Sequence, residues 1–174
     1  IKGELDGTPY FDEHKTEVFG FMNPTADLYI EGALGKGNKI DYANNRLGDY
    51  KELWSKVVYN MTKHLEFDFS FNYGELDADN KGRNGYIEQV ADARISYQFD
   101  VRSYLKLNLN YYDIEFEPST SFKTRDKYLT TQLIYAYKLN PQTVFYIGYS
   151  DNSYRDDQLK TLTRSERTVF TKVS

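Results

Sequence analysis

"HLEFDFSFNYG" spans residues 64–74. Leu65, Phe67, Phe69, Phe71 and Tyr73 take every second position, and His64, Glu66, Asp68, Ser70 and Asn72 fill the gaps. A period of two is the period of a β-strand, here with one apolar and one polar face. In a soluble barrel or sandwich the aromatic face points into a core. In a membrane barrel it points at lipid, and the acidic face looks into the lumen. Alternation alone does not choose between them.

The same stretch recurs. "YNMTKHLEFDFSFNY" (59–73), "YQFDVRSYLKLNLNY" (97–111) and "YAYKLNPQTVFYIGY" (135–149) align without gaps, and their starts lie 38 residues apart. A fixed period of this size marks a repeated supersecondary unit, here a β-hairpin over 59–149. The hairpins turn at Thr62-Lys63-His64, Asp100-Val101-Arg102 and Asn140-Pro141-Gln142. Pro141 cannot donate a ladder bond and suits a turn. Between hairpins lie longer polar stretches, 74–86, 113–126 and 151–166. Connections therefore alternate short and long, as in outer-membrane barrels with short periplasmic turns and long outer loops. Lipocalin-like soluble barrels, which also run up and down, remain the competing reading.

From residue 57 onward the apolar positions are mainly odd-numbered, among them Val57, Leu107, Leu133 and Ile147. The even positions hold Glu66, Asp68, Asp92, Arg94, Lys106 and Lys138, the candidate lumen-facing residues. So many ionisable groups would be costly in a dry core and cheap in a wet lumen. Even-numbered Trp54, Val58, Ile134 and Tyr146 break the pattern and predict a partly filled lumen. The fold class is thus all-β: an antiparallel up-and-down transmembrane β-barrel, or the C-terminal part of one. Nine strands are expected, over 15–22, 26–34, 49–61, 65–73, 87–99, 103–111, 128–139, 142–150 and 167–174. Single-chain bacterial barrels have even strand numbers, so nine predicts a fragment of a larger barrel. Ile1-Lys2-Gly3-Glu4 likewise reads as the interior of a longer or a processed chain, and Ser174 as a stop within a strand.

Composition narrows the function. There are 17 Tyr and 11 Phe, residues that favour strands, and Tyr also suits a boundary between apolar and wet phases. The absence of Cys excludes disulfides and thiolate metal sites. No apolar run is long enough for a transmembrane helix. A formal net charge of −4 without a Lys/Arg run makes nucleic acid an unexpected partner. The expected partners are outer-membrane lipid and upstream barrel strands or a partner chain.

Residues 85–174 also carry a family resemblance. "ARISYQFDVRSYLKLNLNYY", "LIYAYKLNPQTVFYIGYSDN" and "RSERTVFTKVS" resemble the C-terminal end of an uncharacterised bacterial outer-membrane family. Its members pair an N-terminal family-nine-like carbohydrate-binding module with a C-terminal barrel. The most specific piece is Leu139-Asn140-Pro141-Gln142-Thr143-Val144-Phe145-Tyr146-Ile147-Gly148-Tyr149. The resemblance implies a Gram-negative outer-membrane location and a sugar-related role for the parent protein. It transfers no binding residue, because the carbohydrate module is not in this sequence.

Chemistry-bearing motifs are few. Asp77 to Glu88 resembles a calcium loop, with acids at its first, third and twelfth positions and Gly82 at the sixth. Lys81 occupies a ligand position and strands flank it, which favours a polar hairpin loop. His64 and Ser70 share a face, but six residues of strand hold them roughly 20 Å apart, too far for a catalytic dyad. No enzyme activity, metal or cofactor is expected. The lumen charges Asp68, Asp92, Arg94 and Lys106 read as ion pairs bracing the wall, or alternatively as a charge-selective constriction.

Overall fold

A computed structural model describes residues 3–5, 8–42, 46–77, 84–116, 125–156 and 161–174. Two short strands, β1 (Gly3–Leu5) and β2 (Thr8–Tyr10), pair with each other. The rest is one antiparallel sheet of nine strands in sequence order. It comprises β3 (Lys15–Thr25), β4 (Leu28–Asp41), β5 (Arg46–Asn60), β6 (Leu65–Asp77) and β7 (Asn84–Gln98). β8 (Ser103–Phe116), β9 (Arg125–Asn140), β10 (Thr143–Arg155) and β11 (Thr163–Val173) complete it. Each strand pairs only with its sequence neighbours, the up-and-down order expected from the alternating connections. The sheet is open, with β3 and β11 as edges.

Nine strands stand where nine were expected, but most are longer. β6 continues to Asp77, β8 to Phe116 and β10 to Arg155, so much of the supposed loops is paired strand. The middle of the calcium-loop-like segment, 78–83, lies outside the described residues, as do 117–124 and 157–160.

Short turns form because a polar residue opens each one. Thr62 Oγ1 accepts from the amides of His64 (3.1 Å) and Leu65 (3.0 Å). Asp100 Oδ1 accepts from Arg102 (2.7 Å) and Ser103 (2.9 Å), and Asn140 Oδ1 accepts from Gln142 (3.0 Å). Such side chains satisfy turn amides that a ladder cannot reach. The Arg102 amide, foremost, holds the Asp100 carboxyl below the usual carboxylate range. The third turn comes two residues late in the repeat, and its register differs. Tyr59 faces Phe67 and Tyr97 faces Leu105, whereas Tyr135 faces Ile147.

Register assigns every residue to a face. Ile30 and Leu34 of β4 pair with Val57 and Leu53 of β5, which pair with Phe69 and Tyr73 of β6. Among the described residues no second layer covers this apolar face, and its large side chains stay exposed or half-buried. The buried apolar residues among those described, Ala33, Leu76 and Ala136, all sit on the opposite face with Asp68.

Close strand approach constrains Gly37. A Cβ there would strike the His14 carbonyl and come within 2.8 Å of Lys15 Cα. That contact secures the start of β3, where the Asn38 amide donates to His14 O at 2.9 Å. Gly37→Val is therefore expected to release residues 14–16 from β4, costing about 1–3 kcal/mol as overpacking does. Hydrogen exchange of the Asn38 amide checks this, and unchanged protection would refute the backbone clash.

Candidate functional site: a polar wall between aromatic rows

The polar face is organised in rows that run across the strands. One row passes from Lys56 through Ser70, Asp92, Asn110 and Thr130 to Asn152. Its neighbour passes from Val58 through Asp68, Arg94, Asn108 and Gln132 to Ser150. Side chains within the rows bond to one another. Arg94 Nη1 lies 3.9 Å from Asp68 Oδ2, and its Nε donates to Asn108 Oδ1 at 3.3 Å. Asn108 Nδ2 donates to Gln132 Oε1 at 3.2 Å, and Asn110 donates to Asp92. These groups line an open groove of about 620 Å³.

The six sequence candidates do not form one cluster. Asp68, Arg94 and Asp92 come together in the groove. Glu66 and Lys106 lie one step nearer the short turns, on either side of Ser96. Lys106 Nζ sits 5.7 Å above the Tyr104 ring. Lys138 stands exposed at the rim, where its backbone amide donates to Arg102 O at 2.7 Å. Asp68 and Arg94 offset each other and Asp92 accepts from an amide, so these groups brace a polar wall, with Lys56 on the same groove. His64 sits in a turn with Nδ1 2.9 Å from Gln98 O, away from Ser70. Among the described residues no three His, Asp or Glu side chains converge as metal ligands.

The apolar face has a sharp upper edge. On successive strands from β4 to β11 the apolar run ends at Leu34, Leu53, Tyr73, Ala91, Tyr111, Leu129, Tyr149 and Val169. Two residues further on stand Lys36, Lys51, Glu75, Gln89, Asp113, Lys127, Asp151 and Arg167. Among the described residues only Ile40, Leu47 and Ile87, on β4, β5 and β7, are apolar higher on that face. The edge is level across β4–β6, drops two residues for β7–β9 and four more for β10–β11. A steady stagger of this sense is what tilted strands require. The band is narrowest on β10, where it covers Phe145 to Tyr149.

A tyrosine–acid pair marks this edge once per repeat. Tyr73 OH donates to Glu75 (2.8 Å), Tyr111 OH to Asp113 (2.9 Å) and Tyr149 OH to Asp151 (2.7 Å). Bases close the collar. Asp113 receives Arg125 at 3.0 Å and Lys127 at 2.6 Å, and Asp151 receives Arg164 at 2.7 Å. Burial pushes the Asp113 carboxyl up, but Arg125, Lys127 and Tyr111 outweigh it and hold it at about 2. The Tyr149 hydroxyl, then Arg164 and Arg167, hold Asp151 below its usual range against the opposing effect of burial.

Beyond the edge the opposite face turns aromatic. Tyr112 pairs with Tyr128 and Tyr128 with Tyr154, and the ring centroids are 6.0 and 4.9 Å apart. Phe19 stacks on Trp54 at 5.9 Å in the same row. A higher row holds Tyr50, Leu76, Tyr86 and Phe116, where Lys39 Nζ donates to Tyr86 OH at 3.1 Å. Sequence reading singled out Trp54 but missed the rows as rows, because Leu76, Tyr86, Phe116 and Tyr154 fall in segments taken for loops. The signal was there, since Tyr112, Ile114 and Phe116 alternate with Asp113 and Glu115.

Fold and site define an all-β chain whose nine-stranded up-and-down sheet separates a band of apolar side chains from a polar, partly ion-paired wall. Compared with known proteins, the chain matches no family model and no curated protein.

Proposed function

We propose that this chain forms part of a transmembrane β-barrel in the outer membrane of a Gram-negative bacterium. Its role is that of a pore, or of an anchor for a carbohydrate-binding module, and it performs no catalysis. The observation that carries this reading is the exchange of face polarity at one edge. Below the tyrosines the Phe69 face is apolar and the Asp68 face polar. Above them the first face is mainly charged or polar, and the second gains aromatic rows. A strand inside one soluble core has no cause to exchange faces along its length. A strand leaving hydrocarbon for water does, and tyrosines belong at that boundary. On β6 the apolar run Leu65–Tyr73 covers nine positions, the length of a tilted spanning strand. The open edges β3 and β11 call for further strands from this chain or a partner, since unpaired edges invite association.

On this reading the native protein fractionates with outer membranes. Stable, monodisperse folding in detergent-free buffer would overturn it in favour of a soluble ligand-binding barrel or sandwich. Orientation has its own measurement. Thr161→Cys, on the long-connection side, should react with an impermeant thiol reagent on intact cells. Val101→Cys, in a short turn and 91% exposed, should stay unreacted until the outer membrane is breached. Reversed labelling would invert the assignment.

A further inference from the structure

We propose that the tyrosine row Tyr112–Tyr128–Tyr154 is a binding platform for a neutral oligosaccharide. It goes beyond the membrane reading, because the platform is the same whether the outer face meets lipid or water. Three adjacent strands present the rings side by side, tilted by 43° and 39° to one another. They form a shelf, not a cage, and Tyr128 at its centre is 44% exposed. Neighbouring strands are about 4.8 Å apart, close to the length of one sugar residue in a chain. An extended saccharide laid across the strands therefore sets successive C–H faces over successive rings, the contact an aromatic face favours.

The flanking rows supply the hydroxyl partners. One step above the shelf stand Ile114 and Asp126, with Glu88 beside Ile114, and one step below stand Asn110 and Thr130. A sugar ring on the shelf thus has acceptors along one rim and an amide and a hydroxyl along the other. Tyr154 OH donates to Asp126 Oδ1 at 3.0 Å, which fixes that carboxylate beside the ring. The charge balance selects the ligand class. Carboxylates beside the shelf repel anionic saccharides, and an open shelf lacks the enclosing walls by which aromatic groups hold a cation.

The test is titration of the full chain with maltohexaose and cellohexaose, in micelles of an amine-oxide detergent that carries no sugar head group. Saturable binding of at least one hexasaccharide is expected. Tyr128→Leu should weaken it about tenfold, while Tyr128→Phe and the outer-face control Tyr97→Leu stay close to the parent. If Tyr128→Leu does not fold, as judged by circular dichroism, Tyr112→Leu and Tyr154→Leu interrogate the same row. The proposal is overturned if neither hexasaccharide binds by about 10 mM, or if the folded leucine variants bind as the parent does. Tighter binding of a glucosamine hexamer or a galacturonate hexamer would overturn the neutral class. None of these outcomes bears on lipid exposure at Phe69, so the two readings fail separately.

Discussion

Phe69→Lys should destabilise the protein in bilayers by about 2–4 kcal/mol, the cost of a cation near mid-membrane on a barrel's outer face. Phe69 pairs with Val57 and Ala93 and stacks on Phe67 at 6.2 Å, so no polar group stands opposite it. Ser70, the next residue, pairs with Lys56 and Asp92 on the wet wall. There Ser70→Lys gains Asp92 and meets Lys56, and should cost under about 1 kcal/mol, as exposed polar exchanges do. Urea titration of vesicle-embedded protein measures both. A buried soluble core also predicts damage at Phe69, so the deciding experiment is a lipid-confined quencher against Phe69→Cys and Ser70→Cys labels. Strong quenching at 69 with none at 70 supports lipid contact. Quenching at neither site, or at 70 alone, defeats it.

Where one medium contacts one face, the sequence announces its structure. Residues 65–73 alternate because one face is uniformly apolar, and the short turns are readable because Thr62, Asp100 and Asn140 have side chains that bond turn amides. Reading fails at Tyr73. Beyond it Glu75 and Asp77 occupy the formerly apolar face, while Gly74 and Leu76 occupy the other. The alternation continues with its sign reversed, so a search for one constant apolar face loses the strand. Burial shows the same inversion, since Leu76 is 1% exposed on the face that Asp68 makes polar lower down. The candidate site was half legible. Asp68 and Arg94 share a face because β6 and β7 both put their odd positions on one apolar face, and parity then places both even positions on the other. Lys138 shares the parity of that face on β9 but stands far from Asp68 and Arg94, at the short-turn rim, and the two-residue displacement of the third turn is not recorded in any periodicity of the sequence.

The collar offers the second large effect. Asp113 is 6% exposed, yet it accepts from both Arg125 nitrogens at 3.0 Å, from Lys127 and from the Tyr111 hydroxyl. Asp113→Asn keeps the shape and removes the charge, leaving Arg125 and Lys127, two residues apart on β9, without the carboxylate between them. The loss should be about 2–3 kcal/mol at pH 7, at or below the lower end for breaking a buried ion pair, because Arg125 is partly exposed. The pH dependence has a definite sign. The carboxyl, ordinarily near 3.8, stands at about 2 when folded, so the folded state binds fewer protons than the unfolded one. Its contribution is complete above about pH 4, shrinks as the pH falls toward 2, and is gone below both values. Parent and Asp113→Asn stabilities should therefore converge in acid. Asp151→Asn should do less, because Arg164 and Arg167 are more than half exposed and water already screens them. Urea midpoints of the three proteins at pH 7 and near pH 2 measure this. A gap between parent and Asp113→Asn that persists unchanged in acid would show that packing, not charge, holds the collar at Asp113.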